Sequence, residues 1–349
     1  MIVYGIIFFT LLRRAAMLSM LVDETTVLKT PRYRMTNGNE MPGFALGTYL
    51  GFDENGVIKP KNKEIRNAVA KAIDLGYRHI DTASIYNTEA EVGEAINMKI
   101  NQQVVKRENV FVTAKLWNTS HKKDQVQDAI RETLNKTGLG YVDLYLMHWP
   151  VGLNADYSFS DVDYMETWQG MEEVLDLGLV KSIGVSNFNL TQLQRLMSEC
   201  TVKPVALQIE IHPQLIQQEL IDYCQSERII IMGYSPLGSL VMRFGLDFPG
   251  PKVDNPLLVA LAHKYNKTST QIVLRWAVER GVVPLPKSVN TRHIAENINI
   301  FDFRLLPEEV EQINEFNTNT RYTRPSFWQD HPYYPFDIVV NPVPNPFRS

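Results

Sequence analysis

Four side chains of the 349-residue sequence have the types needed to hand a proton to an oxygen: Asp81, Tyr86, Lys115 and His148. A phenol is a weak acid and a weaker base at neutral pH, but an ammonium beside it stabilises the phenolate and lowers its pKa. Lys115 can supply that ammonium. Once buried, a lysine tends to lose its proton unless a carboxylate stands next to it, and Asp81 is the natural candidate. His148 can donate a hydrogen bond to the same substrate oxygen, orienting and polarising a carbonyl while Tyr86 delivers the proton. Together these groups serve the oxygen of a carbonyl that receives hydride at carbon. No protein side chain delivers hydride, so a nicotinamide cofactor has to bring it.

Grips for such a cofactor are present. Ser186, Asn187 and Gln208 carry hydroxyl or amide groups able to bond a carboxamide, and Tyr234 offers a flat face for stacking on a nicotinamide ring. Lys287-Ser288 precedes a helix start at Asn290, with Arg292 and His293 close by, a combination that favours a phosphate. Singly, each residue has a plainer reading as a cap, a solvated charge or packing. Convergence of several titratable groups on one rim reverses that reading.

The elements that bring them to one rim follow from the hydrophobic pattern. A short β-branched apolar run followed by an amphipathic stretch recurs from about residue 44 onward. The predicted strands are Phe44–Gly47, Arg78–Asp81, Val110–Lys115, Val142–His148, Ser182–Val185, Ala206–Glu210, Ile229–Tyr234 and Val282–Pro284. Between them lie helical patterns such as Glu64–Leu75 and Gln125–Thr137, ending near Gly76 and Gly138. Eight such units predict an α/β fold, a (β/α)8 TIM barrel, whose active site lies at the C-terminal strand ends. Asp81, Lys115, His148 and Tyr234 fall at those ends. Asn37-Gly38 predicts a hairpin plug before the barrel, and an aromatic, proline-rich segment from Tyr322 forms an irregular C-terminal loop. The expected division is an extension over residues 1–32, one barrel domain over 33–337 and a tail over 338–349. A doubly wound dinucleotide fold is disfavoured, because no GxGxxG follows the first strand.

Composition narrows the partners. A net charge of −4 with scattered Lys and Arg excludes a nucleic-acid surface as the main reading. Cys200 and Cys224 have no ligand spacing and the seven histidines are dispersed, so neither a disulfide framework nor a metal site is expected, which disfavours a metal-dependent barrel hydrolase. The apolar run Ile2–Leu12 is too short to span a membrane, and its arginines follow it instead of preceding it. A cytoplasmic protein is expected; the alternative is secretion, should residues 1 to about 20 act as a signal peptide.

Three separated motifs carry a resemblance. Gly76-Tyr77-Arg78-His79-Ile80-Asp81-Thr82-Ala83, continuing through Tyr86 and Glu89 to Gly93, then Lys181-Ser182-Ile183-Gly184-Val185-Ser186-Asn187-Phe188, then Leu285-Pro286-Lys287-Ser288 with Glu296-Asn297, are similar to the signatures of the aldo-keto reductase family. The likeness is to aldose and aldehyde reductases, with an insect ketosteroid reductase among the options. It implies NADPH as cofactor, a small-molecule carbonyl substrate and a monomer. It also implies that Asp81, Tyr86, Lys115 and His148 are the catalytic tetrad, and that Ser186, Asn187 and Gln208 hold the carboxamide. Tyr234 would stack on the nicotinamide, and Ser235, Leu237 and Ser239 would line the pyrophosphate loop. Lys287, Ser288, Val289, Asn290, His293, Glu296 and Asn297 would surround the adenosine 2′-phosphate and adenine, while Gly47, Thr48 and Tyr49 would flank the cofactor on the first loop. Tyr49, Trp117 and Trp149 would wall the substrate with Tyr86 and His148, joined by Phe327, Trp328 and Tyr333 of the tail. Two positions depart from the pattern. His293 stands where the family usually has arginine, which weakens the expected phosphate grip, and Tyr49 stands where many members have tryptophan. The family also includes channel-associated subunits and lens structural proteins, so a non-catalytic NADPH-binding role is the alternative.

Overall fold

Runs such as Ala206–Glu210 are buried at every position, as strands covered on both faces must be. In the computed structural model, which describes residues 30–51, 63–241, 248–343 and 345–347, these runs pair as a barrel. The predicted leader lies outside the described residues except for its last three. A two-stranded hairpin, β1 (Arg32–Arg34) and β2 (Glu40–Pro42), comes first. Eight parallel strands follow: β3 (Leu46–Gly47), β4 (His79–Asp81), β5 (Phe111–Leu116), β6 (Leu144–Met147), β7 (Ile183–Ser186), β8 (Ala206–Glu210), β9 (Ile230–Tyr234) and β10 (Val282–Leu285). The ring closes through Ala45 N–H to Pro284 O (3.2 Å), Gly47 N–H to Pro286 O (3.1 Å) and a parallel bridge from Gly47 to Lys287.

Helices α1 (Glu64–Asp74), α2 (Glu89–Asn101), α3 (Lys123–Thr137), α4 (Tyr164–Asp176), α5 (Leu190–Glu199), α6 (Gln218–Ser226), α7 (Pro256–Tyr265), α8 (Ser269–Glu279), α9 (Thr291–Ile298) and α10 (Pro307–Asn314) lie along the chain between and after the strands. Local chemistry starts several of them. Asn189 with Gln192 and Thr268 with Gln271 form reciprocal capping boxes for α5 and α8, satisfying backbone groups that an α-helix leaves unpaired. Helix α2 lies so close to α3 that a Cβ on Gly93 would fall 1.9 Å from Thr137 O.

Alternation along each strand divides the core in two. Val112, Tyr145, Ile183, Leu207 and Ile231 point outward into the layer shared with Ile65, Val126, Trp168, Leu193 and Trp276. Phe111, Leu144, Leu146, Ala206, Met232 and Val283 form a second cluster inside the ring, completed by Met35 and Met41 of the hairpin segment, which plugs the barrel floor as predicted. The same parity turns Asp81, Lys115, Ser186, Gln208 and Tyr234 inward at the opposite end. Strand limits shift from the predicted ones by a few residues. Predicted Phe44–Gly47 shortens to Leu46–Gly47, and Val142 makes only an isolated bridge to Val180 below β6.

Candidate active site

Lys115 is fully buried on β5, and its ammonium donates to three acceptors: Asp81 Oδ1 at 2.6 Å, the carbonyl of Thr82 at 3.0 Å and the Tyr86 hydroxyl at 3.2 Å. Asp81, at the end of β4, receives a second donor on its other oxygen from Gln208 Nε2 at 2.7 Å. Thr48 donates to the Asp81 carbonyl at 2.9 Å and meets the Thr88 hydroxyl at 3.2 Å, which ties the first barrel loop to the start of α2. Tyr86 sits half-buried in a short turn, Ser84–Tyr86. Its ring lies edge-on to His148 with centroids 5.7 Å apart, and the Tyr49 ring tilts against it at 4.9 Å. Trp117 stands 5.3 Å from the His148 ring, and Trp149 packs on Trp328 and Phe336.

One expected electrostatic effect comes out with the opposite sign. The sequence reading has the ammonium lowering the Tyr86 pKa; in the structure the phenol is held well above its ordinary value, by burial first and by the Asp81 carboxylate second. Asp81 is nearer to Lys115 than the phenol is, so the pair presents Tyr86 with little net positive charge. Burial also lowers the Lys115 pKa, opposed by Asp81 and, further off, by Glu89. His148 is pushed well below its ordinary range by burial, then by Lys115 and His121, so its ring is neutral and carries a single N–H.

A second polar group lines β7 to β9. Asn187 adopts a left-handed backbone conformation, φ 61°, that aims its amide back into the barrel. Its Nδ2 donates to the His148 carbonyl at 2.9 Å and its Oδ1 accepts from the Tyr234 hydroxyl at 2.8 Å. Ser186 donates to Gln208 O at 2.8 Å. Gln208, expected on the cofactor, thus has its amide nitrogen on Asp81. Beyond β10, Asn290 caps α9 by accepting from the N–H groups of Arg292 and His293, and Asn290 N–H in turn bonds the Ser288 hydroxyl. Arg292 is exposed and ion-paired with Glu296 at 2.7 Å, while His293, Val289 and Lys287 are exposed and Asn297 is buried. Ser235, Leu237 and Ser239 follow β9, where Ser239 donates to Pro251 O at 2.8 Å.

The profile of the Aldo/keto reductase family matches residues 45–318. The chain belongs to that family. Aldo-keto reductase AKR2E4 of Bombyx mori is 47% identical over 308 residues, covering 88% of this chain and 99% of the relative. Its crystal structure in complex with NADP superposes with a TM-score of 0.84 over the same shares of the two chains. The silkworm reductase AKR2E5, solved with NADPH, is 42% identical with a TM-score of 0.86, covering 92% of this chain and 98% of that one. Human aldo-keto reductase family 1 member A1 is 40% identical over 86% of this chain and 96% of its own.

Sequence reasoning found the inward residues of this reductase, because parity and motif both mark them. It missed the Thr82 carbonyl on Lys115, for which a backbone group leaves no signal, and the bond from Gln208 to Asp81, which joins residues 127 positions apart.

Proposed function

We propose that the protein reduces an apolar aldehyde or ketone with NADPH, with Tyr86 as proton donor. The supporting observation is the fully buried Lys115 ammonium, bonded at once to Asp81 and to the Tyr86 hydroxyl. NADPH, when bound, supplies the hydride. Ser186, Asn187 and Tyr234 would hold its carboxamide and ring, and Lys287, Ser288 and Asn290 would hold its phosphate end. The buried amide and hydroxyl at Asn187 and Ser186, together with the exposed lysine and the helix N-terminus, suit a ligand that is planar and polar at one end and anionic at the other. His148, neutral, donates its one N–H to the carbonyl oxygen, and Tyr86 gives its proton to the same oxygen as negative charge develops there. The raised phenol pKa keeps Tyr86 protonated at neutral pH, and the alkoxide that develops on the substrate, a far stronger base than an ordinary phenolate, takes its proton. Lys115 stabilises the phenolate left behind, and Asp81 keeps Lys115 charged. Trp117, Trp149 and Trp328 exclude water and set the apolar character of the substrate.

Replacing Tyr86 with Phe leaves NADPH fluorescence quenching intact and lowers turnover of an aromatic aldehyde on the order of a hundredfold or more. Unchanged turnover defeats the assignment. Quenching by NADPH without oxidation of it across a panel of aldehydes, ketones and ketosteroids favours the non-catalytic role instead.

A further inference from the structure

Behind His148 lie polar side-chain atoms that the catalytic cluster does not use. His148 Nδ1, both ring nitrogens of His121, both polar atoms of the Asn118 amide and the indole nitrogens of Trp117 and Trp328 are buried, and none has a hydrogen-bond partner among the described residues. Asn118 is 0% exposed and His121 and Trp328 are 1% exposed, so bulk water does not serve them. Two other buried histidines show the usual pattern. His79 bonds Pro42 O and Thr113 Oγ1, while His331 bonds Ser160 O and accepts from Tyr333 N–H.

Two loops enclose the group. Trp117, Asn118 and His121 belong to the loop after β5, whose short turn spans Asn118–Ser120, and His148 opens the loop after β6. The Trp117 ring stands 5.3 Å from His148 and 6.0 Å from Trp328. Leu153 N–H donates to Asn118 O at 2.9 Å, and Thr167 of α4 donates from its hydroxyl to His121 O at 2.7 Å. A Cβ on Gly152 would stand 3.6 Å from the His121 Cβ. These bonds and contacts hold the unused polar atoms in place.

An orphaned buried donor or acceptor is destabilising, and native proteins satisfy such groups with enclosed water bonded to several of them at once. Asn118 brings donors and an acceptor. Burial and His331 keep His121 neutral, so its ring brings one of each. With His148 Nδ1 turned into this group, Nε2 is the nitrogen left on the cleft side. The bond made by one nitrogen of a neutral imidazole decides which nitrogen keeps the proton, so a donor offered to Nδ1 confines the proton to Nε2.

We propose that Asn118 and His121 are positioning residues that hold a water molecule against His148 Nδ1, so that His148 keeps its N–H on Nε2 and turns it to the substrate oxygen. The inference rests on the role given to His148 above. Neither residue is assigned a contact with substrate or cofactor; both act through His148.

Nitrogen-15 NMR of the histidine-labelled protein reads the tautomer directly, with the His148 signals assigned by their loss in His148→Gln. The native protein is expected to show Nε2 protonated and Nδ1 bare. Asn118→Leu and His121→Leu replace the polar atoms by apolar ones of similar shape. Each is expected to bring in the Nδ1–H form and to lower turnover of an aromatic aldehyde about tenfold at saturating NADPH, with NADPH affinity unchanged. His121→Gln, which keeps a donor and an acceptor, is expected to stay near the native values. A native protein with its His148 proton on Nδ1 overturns the proposal, whatever the variants do to folding. So do leucine variants that keep the native tautomer and turnover within twofold. A native protein that oxidises no NADPH with any carbonyl overturns the reading of the reaction instead, and the nitrogen signals then decide the inference by themselves.

Discussion

The Tyr86 hydroxyl lies 3.2 Å from a buried ammonium that holds a carboxylate at 2.6 Å, and burial first, the carboxylate second, raises the pKa of the phenol. In the proposed mechanism the ammonium would serve the phenolate formed during the reaction more than the phenol at rest. At the proposed phosphate end Arg292 pairs its guanidinium with Glu296 while His293 is exposed. His293→Arg supplies a bidentate donor beside Lys287 and Ser288. It is expected to raise the preference for NADPH over NADH by about 1 kcal/mol, roughly fivefold, in competitive fluorescence titrations. An unaltered ratio shows that the 2′-phosphate does not approach position 293.

At the scale of elements, strand parity and helix packing place every one of these groups. Lys115, Gln208 and Tyr234 share the inward faces of their strands with Phe111, Ala206 and Met232, so β5, β8 and β9 each carry apolar core at one end and polar groups at the other. Helix α2 starts three residues after Tyr86, and its close approach to α3 at Gly93 sets where that turn sits. Gly93→Ala forces a methyl into the Thr137 carbonyl, which backbone cannot avoid without moving a helix. The expected cost is about 2 kcal/mol in urea-induced unfolding, accompanied by a fall in turnover through the displaced Tyr86. Native stability in Gly93→Ala shows that the two helices can part there freely.

The whole molecule has a pH response built from buried neutral histidines. Burial lowers His79 and His121 to about 3, and His148 well below its ordinary range. In the unfolded chain each titrates near 6.5, so below that pH the unfolded state binds protons that the folded state refuses. Their contribution is complete above about pH 6.5 and is lost as the pH falls towards 3, with a slope of up to about 1.4 kcal/mol per pH unit for each histidine. Urea midpoints are expected to stay nearly level from pH 7.5 to about 6.5 and to fall from there to pH 4.5, and His121→Gln to remove about one proton from the slope. A flat profile shows that these rings accept protons while folded.

The barrel, its hairpin plug, the inward residues and the family were legible in the chain itself, because hydrophobic period, turn chemistry and motif order are local properties that survive without a folded context. Tertiary structure decided what depends on distance between remote residues. The elevation of the Tyr86 pKa, the second donor on Asp81 from a residue 127 positions away and the meeting of Gln214 with Tyr322 across 108 positions all follow from how the strands close into a ring. Burial and Coulomb terms act through space, so no reading of neighbours along the chain contains them.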